Sequence, residues 1–278
     1  MLVFRLIVGF INFVKHAILV HCFLCSLPYK IAPSMSDTLV IQSHRTPLPY
    51  TWITRCLKSV NHWAESNHYH YQFMGDELFD LLPEEFVEKR VQQPVMFSDL
   101  ARLLCLRQAL QDGYQRAIWL DTDFLIFNPS AFMVPDEPYA VGREAWVQHD
   151  KRGKLRVYKK VHNAFLMFCQ DNHFLDFYIE SATRLLSQNT GNVPPHFIGP
   201  KLLTALHNVV SLPVMESAGM LSPLVIKDLI QGSGIALDQF VEASPQPIAG
   251  ANLCISSCQL NEVSEDEISK LIDRLVGC

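Results

Sequence analysis

Phe97–Phe127 reads FSDLARLLCLRQALQDGYQRAIWLDTDFLIF, and the reading of this stretch decides the fold. Its first half carries apolar residues at helical spacing, with Ser98 as the expected N-cap and Gly113 as the expected stop. Its second half is a buried strand, Ala117–Leu120, that runs into Asp121–Thr122–Asp123 and then into Phe124, Leu125, Ile126 and Phe127. A helix that feeds an apolar strand is the repeating unit of an α/β layer architecture. Two carboxylates between apolar blocks are costly to bury unpaired. A divalent cation such as Mn²⁺ or Mg²⁺ offsets that cost, since it takes carboxylate oxygens and shares open positions with substrate phosphates. If the strand continues through the pair, Asp121 and Asp123 point to one face. The competing reading is an Asp-rich turn between strands, its carboxylates solvated or capping backbone N–H groups. Asp99 and Arg102 are three apart and share a helix face, as a first-turn acid and an ordinary i, i+3 pair also would.

Strands and helices alternate on both sides of this stretch. Thr38–Ser43 (TLVIQS) is a first buried strand, Tyr50 to Glu65 a helix, and His70–Phe73 a second strand closed by Gly75–Asp76. Two short acidic helices flank Pro83. Downstream, Pro138–Glu144 and Asn163–Phe168 read as strands separated by the basic stretch KRGKLRVYKK (Lys151–Lys160), expected to be a solvated hairpin or a grip on phosphate. A helix follows with Asp171 or Asn172 as its cap, and Gly199–Pro200 opens another. Ser264 and Glu267 form a capping box for the last helix, whose stripe is Ile268, Leu271, Ile272 and Leu275.

The chain has 278 residues, 49% of them hydrophobic, which suits a substantial core and excludes a disordered protein. Its net charge of −5 argues against binding along nucleic acid. Eight cysteines follow no disulfide framework. Cys22/Cys25 and Cys254/Cys258 have the spacing of one half of a zinc site, and reduced, buried thiols are the expectation. Met1–Leu27 carries only Arg5 and Lys15 as charges and exceeds the ~20 residues that a bilayer span needs. Three readings stay open for it: a membrane anchor acting through residues 2–27, a spurious or accessory leader before Met35, and a cleaved secretory signal. The expected organisation is an apolar N-terminal segment, 1–34, and a single catalytic-size domain, 35–278. The protein is membrane-associated if the leader is real and cytoplasmic otherwise.

FSDLARLLCLRQAL followed by IWLDTDFLIF resembles the signature of glycosyltransferases with the DXD sugar-binding region. That family includes fungal initiating mannosyltransferases and bacterial capsule and lipopolysaccharide sugar transferases, enzymes of polysaccharide biosynthesis. The resemblance extends to Leu39–Thr46, to Ala140–Glu144 (AVGRE), to His162–Phe165 (HNAF) and to Gly199–Leu206 (GPKLLTAL). It implies a GT-A-like nucleotide-binding mixed sheet flanked by helices, and transfer of a sugar from a nucleotide-sugar donor to a glycan, lipid-linked or other hydroxyl acceptor, with retention of anomeric configuration. It further implies Mn²⁺ or Mg²⁺ on Asp121 and Asp123, donor contacts from Asp99, Arg102, Asp121, Gln42 and Ser43, and catalytic roles for Asp121, Asp99 and Asn163. The chain departs from the family pattern in the link Gly113–Arg116, longer than the usual glycine pair, and in lacking the C-terminal His/Trp segment that completes the metal site. Asn252 and His207 are the nearest polar candidates there.

Two other functions compete. A haloacid-dehalogenase-like phosphatase would use Asp121 as nucleophile and Asp123 as acid/base, but Leu125 stands where its Thr or Val belongs and no later strand ends in an acidic pair. An inactive, membrane-tethered sugar-binding scaffold is the third.

Overall fold

The structure is a computed structural model that describes residues 37–92, 94–188 and 196–277. The apolar segment 1–34, with its three readings and Cys22/Cys25, lies outside the described residues. Among the described residues no helix is long and apolar enough to cross a membrane.

The large sheet begins with β1 (Thr38–Ser43), which pairs in parallel with β2 (His70–Met74) on one side and β3 (Arg116–Leu120) on the other. Next to β3 lies β6 (Leu155–Cys169), antiparallel, and then β5 (Tyr139–His149) and the short β7 (Val214–Met215). The six-stranded order is therefore β2-β1-β3-β6-β5-β7, a mixed sheet. Alternation along the strands assigns the two faces. Leu39, Ile41, Ala117 and Trp119 pack with α3 (Pro94–Gln111) and α4 (His173–Gln188), whereas Val40, Ile118 and Leu120 pack with Val60, Trp63 and Ala64 of α1 (Ile53–Ser66). Each fully buried side chain of this size contributes roughly 1.5–3 kcal/mol. The mixed sheet with helices on both faces is the architecture expected from the alternating pattern.

The connections give this sheet a particular edge. From β1 the chain passes through α1 to β2, and from β2 it returns on the opposite face through a 3-10 turn (Asp76–Leu81), α2 (Glu84–Gln92) and α3 to β3. The order of strand addition thus switches sides between β1 and β3, which run parallel. In open α/β sheets the crevice at the carboxyl ends of two such strands is where ligands bind. The residues at those ends are Gln42 and Ser43 on β1 and Asp121 just past β3.

Two expectations change here. Helix α3 starts four residues before Ser98, and Ser98 caps nothing: its hydroxyl donates to the Val95 carbonyl at 2.7 Å. Nor is α3 amphipathic. Met96, Phe97, Leu100, Ala101, Leu103, Leu104, Cys105, Leu106 and Ala109 are all buried, because the helix is covered by the 3-10 turn, α2 and α4 as well as by the sheet. The second change concerns RAIWLDTDFLIF, which is two strands in two sheets. After β3 the chain turns at 121–123, where Phe124 N–H donates to the Asp121 carbonyl at 2.9 Å, and enters β4 (Phe124–Ile126). There it pairs with β9 (Gly250–Asn252), which pairs with β8 (Ala218–Met220), a separate three-stranded sheet. The Asp pair therefore sits at the seam of two sheets.

Elsewhere the local signals hold. Asn172 caps α4 by accepting from Phe174 N and Leu175 N at 3.0 and 3.1 Å. Gly199–Pro200 lies inside a single π-turn (Phe197–Lys201), and α5 begins behind it (Leu202–Val210). The chain ends through α6 (Pro223–Gln231), α7 (Ile235–Ala243), α8 (Ile255–Gln259) and α9 (Glu265–Val276). The Ser264–Glu267 capping box at the start of α9 is complete.

Candidate active site

Asp121 is the hub. Its Oδ1 accepts from Arg102 Nη1 at 2.9 Å and from Trp119 Nε1 at 2.8 Å. Its main chain is fixed from both sides, N–H to the Ala164 carbonyl at 2.9 Å and carbonyl to Gln42 Nε2 at 3.0 Å. No donor among the described residues reaches Oδ2, and the side chain is 26% exposed. Trp119 was not singled out from the sequence, though strand alternation places it two residues before Asp121 on the same face. It also stacks under the Arg102 guanidinium, 5.1 Å from the ring centroid.

Arg102 ties the α3 side together. Besides Asp121 it meets Asp99 Oδ1 (Nη2, 3.3 Å) and the Asn163 carbonyl (Nη1, 2.9 Å), while Asn163 Nδ2 donates to Asp99 Oδ1 at 2.8 Å. Burial works against the Arg102 charge, but Asp121 and Asp99 outweigh it and raise its pKa. Asp99 is only 4% exposed, and burial dominates over the Arg102 charge in lifting its pKa. Its Oδ2 has no donor. Directly over it lies Gly199, where any Cβ would stand 2.6 Å from that oxygen and 2.7 Å from Asn163 Nδ2. Only glycine lets the π-turn close over this pair. Asn163 itself sits where β6 bulges, since Val141 pairs with Leu166 and the next residue, Gly142, with His162. Such bulges re-aim side chains beside functional sites.

Asp123 turns the other way, and this corrects the expectation of one shared strand face. The residues form the turn that was the competing reading, yet Asp123 is not solvated: it is 5% exposed. Oδ1 accepts from Asn252 Nδ2 at 2.6 Å and Oδ2 from Ile255 N–H at 2.8 Å. Asn252 Oδ1 in turn accepts from Cys254 N–H at 2.7 Å, which fixes the amide's orientation. Desolvation, then the Asp121 charge, push the Asp123 pKa up to about 6, against the hydrogen bonds it accepts. The two carboxylates are thus held by different elements and still repel each other.

Gln42 is fully buried, with Oε1 accepting from Tyr71 Oη at 3.1 Å. That places it beneath Asp121 as a support, not on a ligand surface as expected. Ser43 is half-buried and donates to the Gly75 carbonyl at 3.3 Å. His207, on α5, is not brought to this cluster: its electrostatic partners are Arg143 and Glu216.

Three carboxylates and one guanidinium leave this largely buried cluster two negative charges in excess. Among the described residues no three His, Cys, Asp or Glu side chains converge as a metal cage. The donor set fits a different kind of ion site. Asp121 Oδ2 is open, and each Asp123 oxygen holds one protein donor and keeps a second lone pair. Mg²⁺ or Mn²⁺ bound by one or two carboxylates, with substrate phosphate completing the shell, matches that supply.

His162, beneath the bulge, has no exposed surface. Nδ1 accepts from Ala164 N–H at 3.1 Å, and Nε2 lies 3.2 Å from the Ala218 carbonyl, to which it donates. Gly142 is packed against its ring. Burial lowers its pKa from 6.5 to about 4, so it is neutral. Between those values the unfolded chain takes up a proton that the folded chain refuses. Its contribution to stability is therefore whole above about pH 6.5 and lost as pH falls towards 4, on the order of 3 kcal/mol. A His162→Gln variant keeps a donor and an acceptor but no titration. Urea-unfolding free energies measured across this range are expected to fall less steeply for the variant; parallel curves would refute the assignment.

No protein-family model matches the sequence, and no curated protein matches it. Among solved structures, the chain is similar to a glycosyltransferase involved in glycosylation of the major capsid of PBCV-1, at 13% identity and TM-score 0.47, over 85% of this chain and 99% of that one. It is also similar to the galactosyltransferase LgtC in complex with donor and acceptor sugar analogs, at 10% identity and TM-score 0.43, over 84% of this chain and 95% of that one.

Proposed function

We propose that this chain is a metal-dependent glycosyltransferase that moves a sugar from a nucleotide-sugar donor to a glycan, lipid-linked or other hydroxyl acceptor with retention of anomeric configuration. The observation that carries the reading is the under-neutralised pair of the partly exposed Asp121 and the buried Asp123, beside the carboxyl ends of β1 and β3 where the order of strand addition switches sides. A nucleoside diphosphate brings phosphate oxygens to such a crevice. Mn²⁺ or Mg²⁺, bound there, neutralises the charge that develops as the diphosphate departs. Arg102 and Trp119 hold Asp121 Oδ1 so that Oδ2 faces the opening. Asn252 and the Ile255 N–H hold Asp123. Asp99, closed over by Gly199, holds Arg102 and the Asn163 amide at the edge of the donor site. In the transfer the bond from the anomeric carbon to the diphosphate oxygen breaks, and the acceptor oxygen bonds to that carbon as its proton passes to the departing diphosphate. A phosphatase nucleophile is a poorer fit to Asp121, because its Oδ1 is already held by two donors.

Incubating the protein with a panel of nucleotide sugars is expected to release free sugar and nucleoside diphosphate with Mn²⁺ or Mg²⁺, and none after chelation. Release of phosphate from phosphomonoesters instead would favour the phosphatase, and no turnover of either would favour a scaffold. Once an acceptor is in hand, NMR of the product linkage tests retention; an inverted anomer overturns that part.

A further inference from the structure

The basic stretch singled out in the sequence has no part in the site just described. It forms the arm of a hairpin between β5 and β6. The loop is built on Asp150, whose Oδ1 accepts from Arg152 N and Lys154 N at 2.8 and 3.0 Å, and Gly153 takes a left-handed conformation to close it. From Asp150 to Lys160 there are six cationic side chains against one carboxylate, in a chain of net charge −5. Arg156 pairs with Asp150 at 3.4 Å and Lys160 with Glu144 at 3.5 Å. Lys151, Arg152, Lys154 and Lys159 are exposed and make no ion pair among the described residues.

The two faces of the arm differ. Ala145, Val147, Leu155 and Val157 pack into the core beneath. The cross-strand pairs Glu144–Lys160, Trp146–Tyr158 and Gln148–Arg156 alternate with them on the opposite face, which opens towards the tip, Glu144 itself being buried. Tyr158 is 36% exposed, Trp146 half-buried, and the Lys160 ammonium sits 6.0 Å from the Tyr158 ring centroid. Amphipathic rings flanked by lysine and arginine are the composition of a membrane–water boundary. Three of the four unpaired cations, Lys151, Arg152 and Lys154, cluster at the tip, and Lys154 is nine positions from Asn163, about 30 Å at strand rise. That is too far for a short acceptor engaged at the carboxylates, whereas a flat anionic surface meets the tip first. Screening over about 8 Å lets the arm feel such a surface without the rest of this acidic chain opposing it.

We propose that the β5–β6 hairpin docks the protein on an anionic lipid surface. The apolar stretch Met1–Leu27 of the same chain is a separate matter of composition, and a polybasic patch and an apolar element in one chain are the two signals that stable membrane attachment takes. The inference does not depend on the catalytic reading. The test uses the full chain and sedimentation with vesicles of phosphatidylcholine alone or mixed equimolar with phosphatidylserine. Any attachment through the leader contributes to both, so the ratio between them reports the hairpin. Wild type is expected to prefer the serine-containing vesicles, a preference that added salt erodes. The triple variant Lys151→Glu, Arg152→Glu, Lys154→Glu, substituted only at exposed loop positions and checked by its melting temperature, is expected to lose that preference by a factor on the order of 100. An equal partition of wild type between the two vesicles overturns the proposal. So does an unchanged preference in the variant, or a variant that loses only its binding of heparin oligosaccharide, which would make the arm a glycan grip.

Discussion

An Asp123→Ala protein is expected to lose metal-dependent turnover by about 1,000-fold or more, the loss of several kcal/mol of charge stabilisation at the departing diphosphate. Its effect on the fold is set by two opposing terms. Removing the carboxylate orphans the Asn252 amide and the Ile255 N–H, each at a cost of about 1–3 kcal/mol. It also removes a charge that burial and Asp121 disfavour by lifting its pKa from 3.8 to about 6, which at neutral pH returns roughly 3 kcal/mol. The terms nearly cancel, so the variant should melt within a few degrees of wild type while being inactive. Asp121→Asn is the companion. An asparagine oxygen still accepts from Arg102 and Trp119, so the fold stays and the charge alone is removed. Turnover of either folded variant at the wild-type rate would place the chemistry elsewhere.

Which parts of the site were legible in the sequence follows from the range of the contacts involved. Strands β1 and β3 are continuous apolar runs, as a strand covered on both faces must be, and Ser264 with Glu267 is a contact within one turn. Such signals are local and survive in the sequence. The division of RAIWLDTDFLIF into β3 and β4 is not local, because β4 exists only through its pairing with β9, more than a hundred residues on. Asn252 reaches Asp123 across a separation of 129 residues, so the sequence offers it only as one of two polar candidates, and the other, His207, lies elsewhere. Helix α3 misled for a different reason. A serine before an aspartate and an apolar run is a sound start signal, but Met96 and Phe97 are buried against neighbours that only the tertiary fold supplies. The buried role of Gln42 has the same origin: its position at a strand end was legible, and its two partners, Asp121 and Tyr71, were not.

Arg102→Ala is expected to be the most destabilising substitution at the site. The guanidinium is the cation shared by Asp99 and Asp121 and a donor to the Asn163 carbonyl. With 10% of its side chain exposed and 5% of that of Asp99, solvent does little of its work. Removing one partner of such a buried pair costs about 3–5 kcal/mol, a fall in melting temperature of about 6–15 °C for a domain of this size. Lysine restores the charge but cannot present a planar fork to two carboxylates and a carbonyl, so Arg102→Lys should recover only part of the loss. Asp99→Asn placed on the Arg102→Ala background removes one stranded charge and should stabilise it, whereas in wild type the same change breaks an existing pair. Acid should act likewise. Burial already lifts the Asp99 pKa against the pull of Arg102, so with arginine absent Asp99 protonates more readily in the folded chain than in the unfolded one, and the deficit of the variant narrows as pH falls below neutrality. Calorimetry of the five proteins across that range decides the matter. A melting temperature for Arg102→Ala within about 2 °C of wild type, with no pH dependence of the difference, would show that the three carboxylates do not depend on this cation.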